Sequence, residues 1–321
     1  MARMPDKFLS CDWGTSSFRL RLASTITNEV IAEIKASTGV KELFERGRAT
    51  GDSRAGIFAE VMSKHLQELA LRHPLNGQPL VISGMASSTI GWKDLPYAKV
   101  PLPLDASGLR VETLNWDSPD GLGATYIVSG AATDSDVMRG EECQAIGILA
   151  QPTMQEYRQR SLLILPGTHS KHIEIQHGAI KTFRTYMTGE LFDTLSKHTV
   201  LSATVNTTES VHAHRMEFTA GVKYVRDHGL AASLFKVRAR SVLDKVDPGA
   251  NAAFLSGLLI GSELAEIGGR AGSPPVVVAT SEPLLKLYVL ARPRGARIVF
   301  TSEIDRATLI AHKLLLAGLF K

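Results

Sequence analysis

The chain has 321 residues, 44% of them hydrophobic, and a net charge of +4, which allows about two globular domains with full cores. No basic run interleaves with aromatics, which argues against a nucleic-acid partner. The longest apolar stretch, Phe254 to Ile260, is too short for a membrane span. Two sparse cysteines, Cys11 and Cys143, do not make a secreted disulfide scaffold, and the polar segment Met1 to Lys7 has no signal-peptide core. The cytoplasm is the expected compartment.

Phe8 to Cys11 reads as a strand. Ser17 to Ser24 alternates, with Phe18, Leu20 and Leu22 on one face and Arg19 and Arg21 on the other, which predicts a second strand. Glu29 to Ala36 is a third. Ile57, Val61, Leu66 and Leu69 form a helical stripe that ends near His73-Pro74. Pro79 to Ser83 is a strand running into Gly84-Met85-Ala86-Ser87-Ser88, and Tyr97 to Pro103 is extended. Ser129 to Ala150 reads as helical with a break near Gly140. Leu162 to Leu165 opens a β run, and His172 to Gln176 and Ala179 to Met187 form a hairpin around His177-Gly178. Helices are predicted over about Thr188–His198, Glu209–His228, Ala231–Val246 and Asn251–Ile267, the last stopped by Gly268-Gly269. Strands at Val276 to Ala279 and Arg297 to Phe300 and a helix from Asp305 to Phe320 complete the chain.

Two turns stand out. Asp12-Trp13-Gly14-Thr15-Ser16-Ser17 follows the first strand, and Pro166-Gly167-Thr168-His169-Ser170-Lys171 follows Leu162 to Leu165. Glycine turns let backbone N–H groups converge on an anion, and neighbouring hydroxyls add donors. Two of them half a chain apart suit one phosphate chain held from two sides, as in two-lobed, actin-like ATP-dependent kinases. Such chemistry needs a carboxylate near Mg²⁺ and a base for the acceptor hydroxyl. Asp12 can hold Mg²⁺ through water, or it can simply cap its turn. Glu141 and Glu142, in Arg139-Gly140-Glu141-Glu142-Cys143-Gln144, can supply the base, or they can be a solvated helix face.

No G-x-x-x-x-G-K-[ST] is present, Gly121-Leu122-Gly123 lacks a third glycine, and neither G-x-S-x-G nor H-E-x-x-H occurs. His169 and His172 lie on opposite faces of an extended chain. His212 and His214 diverge on a helix, so neither pair reads as a metal site.

Seven segments, in order and over nearly the whole chain, resemble the 2-dehydro-3-deoxygalactonokinase family of the actin/hexokinase/Hsp70-like sugar kinases. They are Asp12 to Arg19; Ser83 to Ser88 with Gly91-Trp92 and Pro96-Tyr97; Met138 to Glu142 with Gln144; Leu165 to His172; Thr185 to Phe192; Leu234-Phe235 with Val237-Arg238; and Leu255 to Gly261 with Glu263. The resemblance implies ATP-dependent phosphorylation of 2-dehydro-3-deoxy-D-galactonate to its 6-phosphate in galactonate catabolism, with Mg²⁺. It implies that Asp12 is the Mg²⁺ and phosphate residue, and that Gly14, Thr15, Ser16 and Gly167, Thr168, His169, Ser170 are two halves of an ATP cradle. Gly140-Glu141-Glu142 with Gln144 resembles a segment that carries the catalytic acid in related kinases, without deciding between Glu141 and Glu142.

For the sugar acid the resemblance points to Gly84, Met85, Ala86 and Ser87. Arg19 can pair with its carboxylate bidentately or lie on a solvated face. Glu190 can meet a substrate oxygen or offset a helix dipole. Arg238 can reach across the cleft on closure or stay on the surface. The adenosine turn should follow Val276-Val277-Val278, where Ala279-Thr280-Ser281 replaces the usual Gly-Ser type. The added Cβ atoms put the nucleotide preference in question.

The expected fold is α/β: two ribonuclease-H-like, actin-like ATPase lobes with mixed sheets flanked by helices, and with ATP and substrate in the interlobe cleft. The first lobe is expected over 1–140, with 302–321 able to pack back on it, and the second over 141–301. A homo-oligomer is compatible with this pattern. A kinase for another small sugar acid, or a non-catalytic ATP- or sugar-acid-binding regulator on the same fold, are the alternatives.

Overall fold

The computed structural model describes residues 4–208, 211–267 and 273–320. The chain divides into two units: 1–159 with 175–183 and 304–321, and 160–174 with 184–303.

The first unit begins with β1 (Lys7–Trp13), β2 (Phe18–Ser24) and β3 (Val30–Ala36), then α1 (Val40–Thr50) and α2 (Arg54–Ala70). β4 (Leu80–Gly84) follows, then β5 (Ala98–Lys99), β6 (Leu102–Pro103), β7 (Val111–Thr113), β8 (Thr125–Val128), β9 (Ala131–Ala132), β10 (Val137–Met138) and α3 (Glu141–Leu149). Its main sheet runs β3-β2-β1-β4-β8-β7. β1 pairs antiparallel with β2 and parallel with β4, and β4 pairs parallel with β8. This order is the ribonuclease-H-like arrangement expected from the sequence. The apolar face of β1 and β2 packs on α2 through Leu9, Cys11, Leu20, Leu22, Phe58, Met62 and Leu66. Trp13 is fully buried, meets Phe18 edge-on at 4.8 Å and donates its indole N–H to Thr38 O at 3.0 Å, which fixes the end of β1.

The expected helix over Ser129–Ala150 is replaced by the β9–β10 hairpin and the shorter α3. Two local features override the apolar run. Thr133 Oγ1 accepts from Asp136 N at 2.8 Å and forms a tight polar turn. Gly140 has φ +107, outside helical space. α1 and the short strands β7 and β8 were not foreseen; α1 buries only Val40 and Leu43, so its apolar stripe is weak.

The second unit contains β11 (Arg160–Leu165), the start of β12 (Ser170–Gln176) and the end of β13 (Ala179–Tyr186). It continues with α4 (Thr188–His198), α5 (Arg215–His228), α6 (Leu230–Asp244) and α7 (Pro248–Glu263). Last come β14 (Val276–Ala279), α8 (Leu284–Ala291) and β15 (Ile298–Thr301). β11 lies between β12 and β14, and β14 pairs parallel with β11 and β15. α7 starts where Asp247 accepts from Gly249 N and Ala250 N, with Pro248 in the first turn. It is buried along nearly all its length, and α5 and α6 pack on it. The stop at Gly268-Gly269 and the expected helix start at Glu209 lie outside the described residues.

α9 (Ala307–Leu319) belongs to the first unit and packs on α3 and β1. α3, expected in the second lobe, lies in the first unit for the same reason: Gly147 of α3 comes against the backbone of Ala307. Among the described residues no helix is long and apolar enough to cross a membrane.

Candidate active site

In the first unit the site is built where β1 and β4 end and α3 begins. Asp12 is half-buried on β1 and faces Arg19 of β2 in the strand register. Burial pushes its carboxyl above the ordinary value, against the pull of Arg19, Arg21 and a hydrogen bond from Thr308, while Glu141 pushes the same way as burial. Gly84, at the end of β4, has φ +87, and a Cβ there would stand 2.8 Å from Trp13 O and 3.4 Å from Asp12 Oδ1. Only glycine keeps the space beside this carboxylate open. The first turn is closed by Gly14 N donating to Ser17 O at 2.8 Å, with Thr15 and Ser16 exposed at its tip.

The two glutamates of α3 are distinct. Glu142 is fully buried and both its oxygens accept from Gly140 N, at 2.9 and 2.8 Å. Burial, and then the charge of Glu141, push its carboxyl up to about 8. Glu141 is half-buried and accepts from Arg139 N at 2.9 Å.

The turn after β4 holds itself together. Ser87 Oγ donates to Gly84 O at 3.2 Å, and Ser88 Oγ donates to Met85 O at 2.7 Å. Arg139 stacks on the Tyr97 ring at 4.2 Å and donates to Ser87 Oγ at 2.8 Å and to Ser87 O. Ala86, Ser87 and Ser88 are buried, while Met85 is half-exposed. The serine hydroxyls are therefore spent inside the turn.

Arg19 is partly exposed, with 37% of its side chain open to solvent. It bonds Asp305 Oδ1 at 3.0 Å, and Arg21 bonds Asp305 Oδ2 and Glu33 Oε1 at 2.8 and 2.7 Å. Burial alone would raise the Asp305 carboxyl, but Arg21 and then Arg19 outweigh it and hold the group below its ordinary value. One step along the same face, His312 Nδ1 meets Ser10 Oγ at 2.8 Å. Thr308 and His312, four apart on α9, thus meet Asp12 and Ser10, two apart on β1.

In the second unit, the turn 167–169 is exposed and Ser170 is buried. Gly189, near the start of α4, lies so close that a Cβ would stand 2.6 Å from Gly167 O. His169 Nε2 and Glu190 Oε2 pair at 2.5 Å on the rim. A cavity of about 620 Å³ opens beside this turn, with Thr168, Thr188 and Glu190 at its polar edge and Leu259, Ile260, Leu284 and Leu287 among its apolar walls. Ala279 and Thr280 do not line it; both are buried, and Thr280 N donates to Thr301 O at 3.1 Å. Arg238 is half-buried, and its guanidinium donates to Val200 O at 3.5 Å.

Gly189→Ala is expected to displace the turn at Gly167 while the unit stays folded. The Michaelis constant for nucleotide should rise about tenfold or more, since misplacement by ~1 Å can cost that much; initial rates against nucleotide concentration check it.

A model of the family 2-keto-3-deoxy-galactonokinase matches residues 12–319. The chain belongs to this family. It is 34% identical over 275 residues to a Rhizobium meliloti (strain 1021) protein named "Probable 2-dehydro-3-deoxygalactonokinase DgoK1", covering 84% of this chain and 82% of that one. It is 31% identical over 269 residues to the 2-dehydro-3-deoxygalactonokinase of Escherichia coli (strain K12), covering 82% and 81%. A crystal structure of a Sinorhizobium meliloti protein, given the same provisional assignment, superposes with a TM-score of 0.81 at 30% identity, covering 97% and 98%. The chain is thus a sugar-acid kinase of α/β fold, and its family implies ATP as co-substrate.

Residues of this kinase that the sequence reading did not assign are Arg139 as a clamp, Asp305, Thr308 and His312 behind β1, and Glu263 with Tyr288 behind the second turn. Glu263 was legible as the first acid along the apolar helix expected over Asn251–Ile267. Asp305 had no local signal, because its partners lie on β2, far away in sequence.

Proposed function

We propose that this kinase transfers the γ-phosphoryl group of ATP to the C6 hydroxyl of 2-dehydro-3-deoxy-D-galactonate, giving the 6-phosphate and ADP in galactonate catabolism. The observation that carries the reading is the Asp12–Glu141 pair: two carboxylates near enough that burial and then the Glu141 charge hold the Asp12 carboxyl above its ordinary value, beside glycines that leave room for a ligand.

That donor set fits magnesium. Among the described residues no three His, Cys, Asp or Glu side chains gather as a dedicated cage, and Mg²⁺ commonly takes one or two carboxylates plus phosphate oxygens and water. Asp12 would hold it; when bound, it neutralises charge on the phosphate oxygens. Glu141 accepts the proton of the C6 hydroxyl. Glu142 cannot reach a substrate and instead fixes Gly140 and the start of α3. Backbone groups at Gly14 to Ser16 and at Gly167 to His169 receive phosphates. The cavity beside the second turn takes adenosine, in preference to the Ala279–Thr280 segment. Met85 and the turn backbone from Gly84 to Ala86 face the sugar acid. Arg19 serves Asp12 electrostatically, since Asp305 already occupies it, and Glu190 acts with His169. This reaction has a small-molecule partner, needs no nucleic acid, and belongs in the cytoplasm.

The test is a coupled ADP-release assay with Mg·ATP and 2-dehydro-3-deoxygalactonate, beside its gluconate epimer and galactonate. Turnover chiefly with the galactonate-derived keto acid is expected. Turnover with another of the three alone would overturn the acceptor. ATP binding with no turnover on any of them would favour a binding protein.

A further inference from the structure

α7 is an almost wholly apolar helix, yet its last residue is Glu263, 2% exposed. The location disfavours a negative charge twice over, through burial and through the negative end of the helix dipole. Four neighbours compensate. Glu263 Oε1 accepts from Ser170 Oγ at 2.7 Å and meets His172 Nε2 at 2.9 Å. Glu263 Oε2 accepts from Thr188 Oγ1 at 2.5 Å and from Tyr288 OH at 2.8 Å. Burial alone would raise this carboxyl, but the bonds from His172, Thr188 and Ser170 outweigh it and hold it below the ordinary value.

A well-packed apolar residue would satisfy this spot at lower cost to stability, so the network has another use. Its four partners sit on the elements that shape the candidate nucleotide site. Ser170 directly follows the exposed turn 167–169, His172 continues the same strand, Thr188 begins α4, and Tyr288 lies on α8. Thr188 and Tyr288 line the cavity, and Glu263 does not. We propose that Glu263 is a positioning residue for nucleotide binding: it ties the second phosphate turn, α4 and α8 into one preformed wall and touches no substrate itself. The proposal rests on the reading of the cavity as the adenosine site.

The test compares Glu263→Leu, Glu263→Gln and Tyr288→Phe with the wild-type chain. ADP affinity is measured by titration calorimetry, and the Michaelis constants for ATP and for the sugar acid are measured separately. In Glu263→Leu, ADP affinity should fall and the ATP constant should rise, each about tenfold or more, with the sugar-acid constant within about twofold. Glu263→Gln keeps an acceptor toward Ser170 and a donor that the Thr188 and Tyr288 oxygens can accept, so it should restore ADP affinity to within about threefold. Tyr288→Phe removes one tie and should fall between them, which keeps the test decisive if the leucine variant does not fold. Wild-type ADP affinity in a folded Glu263→Leu, or in Tyr288→Phe where leucine prevents folding, would overturn the proposal. So would equal loss of both substrates, which marks a general structural role. A wild-type chain that binds no ADP would instead overturn the nucleotide reading beneath it.

Discussion

Asp12→Asn is expected to lower kcat by about a thousandfold while leaving the melting temperature unchanged or raised. The loss of activity follows from removing the charge proposed to hold Mg²⁺ and to oppose the phosphate charge, where single electrostatic groups are commonly worth two to three orders of magnitude or so. The sign on stability follows from the same surroundings. Burial and Glu141 together outweigh Arg19, Arg21 and Thr308, so the folded state holds the Asp12 proton more tightly than the unfolded chain. A carboxyl raised in this way contributes stability that is full below its unfolded value and lost as pH rises through its folded value. At neutral pH asparagine removes a charge that folding disfavours. The coupled assay and a thermal melt on one preparation check both halves. A variant that keeps wild-type kcat, or loses activity only because it unfolds, would contradict the expectation.

Glu141→Gln and Glu142→Gln should part in opposite ways. Glu141 is half-exposed and is the base we propose, so its amide variant should lose roughly a hundredfold or more in kcat with little change in the constant for ATP. Glu142 is sealed behind Gly140, so Glu142→Gln should keep activity within about tenfold and change the pH dependence of stability instead. The wild-type Glu142 carboxyl is pushed from 4.5 to about 8. Between those values the unfolded chain has released the proton and the folded chain has not, so wild-type stability falls as pH rises across this window. The glutamine variant lacks that contribution. Its stability relative to wild type should therefore grow from pH 5 to pH 8, by an amount on the order of a few kcal/mol. Urea titrations at four pH values would show it. A constant gap between the two proteins would contradict the burial argument.

Local pattern carried much of the fold. The alternation from Phe18 to Leu22 gave β2, and the apolar stripe through Ile57, Val61 and Leu69 gave α2. The helix expected over Thr188–His198 is α4. Alternation placed Arg19 and Arg21 together opposite the apolar face of β2 but did not tell them apart: Arg19 keeps 37% of its side chain exposed, while Arg21 is only 4% exposed because Asp305 and Glu33 enclose its charge. A strand records which side chains share a face but not what lies over that face. The site followed the same division. Gly14 and Gly167 were visible as turn glycines suited to phosphate, and Glu141 and Glu142 as a pair able to supply a base. The separation of Glu141 from Glu142 was not, because it depends on a two-residue reach back to Gly140 N that only the turn geometry creates.

The tie between Ser10 and His312 spans 302 positions. During synthesis β1 emerges from the ribosome first, and at roughly 5–20 residues per second the helix that completes its polar face follows some tens of seconds later. Until then the nascent chain holds Ser10 and Asp12 without His312 and Thr308, and Arg19 and Arg21 with Glu33 but without Asp305. The surroundings of Asp12, the proposed Mg²⁺ residue, are therefore completed last, although Asp12 is translated almost first. A ribosome stalled between the end of β8 and residue 308 leaves a product with the strands of its first sheet made but its Asp12 without Thr308, a natural client for chaperones.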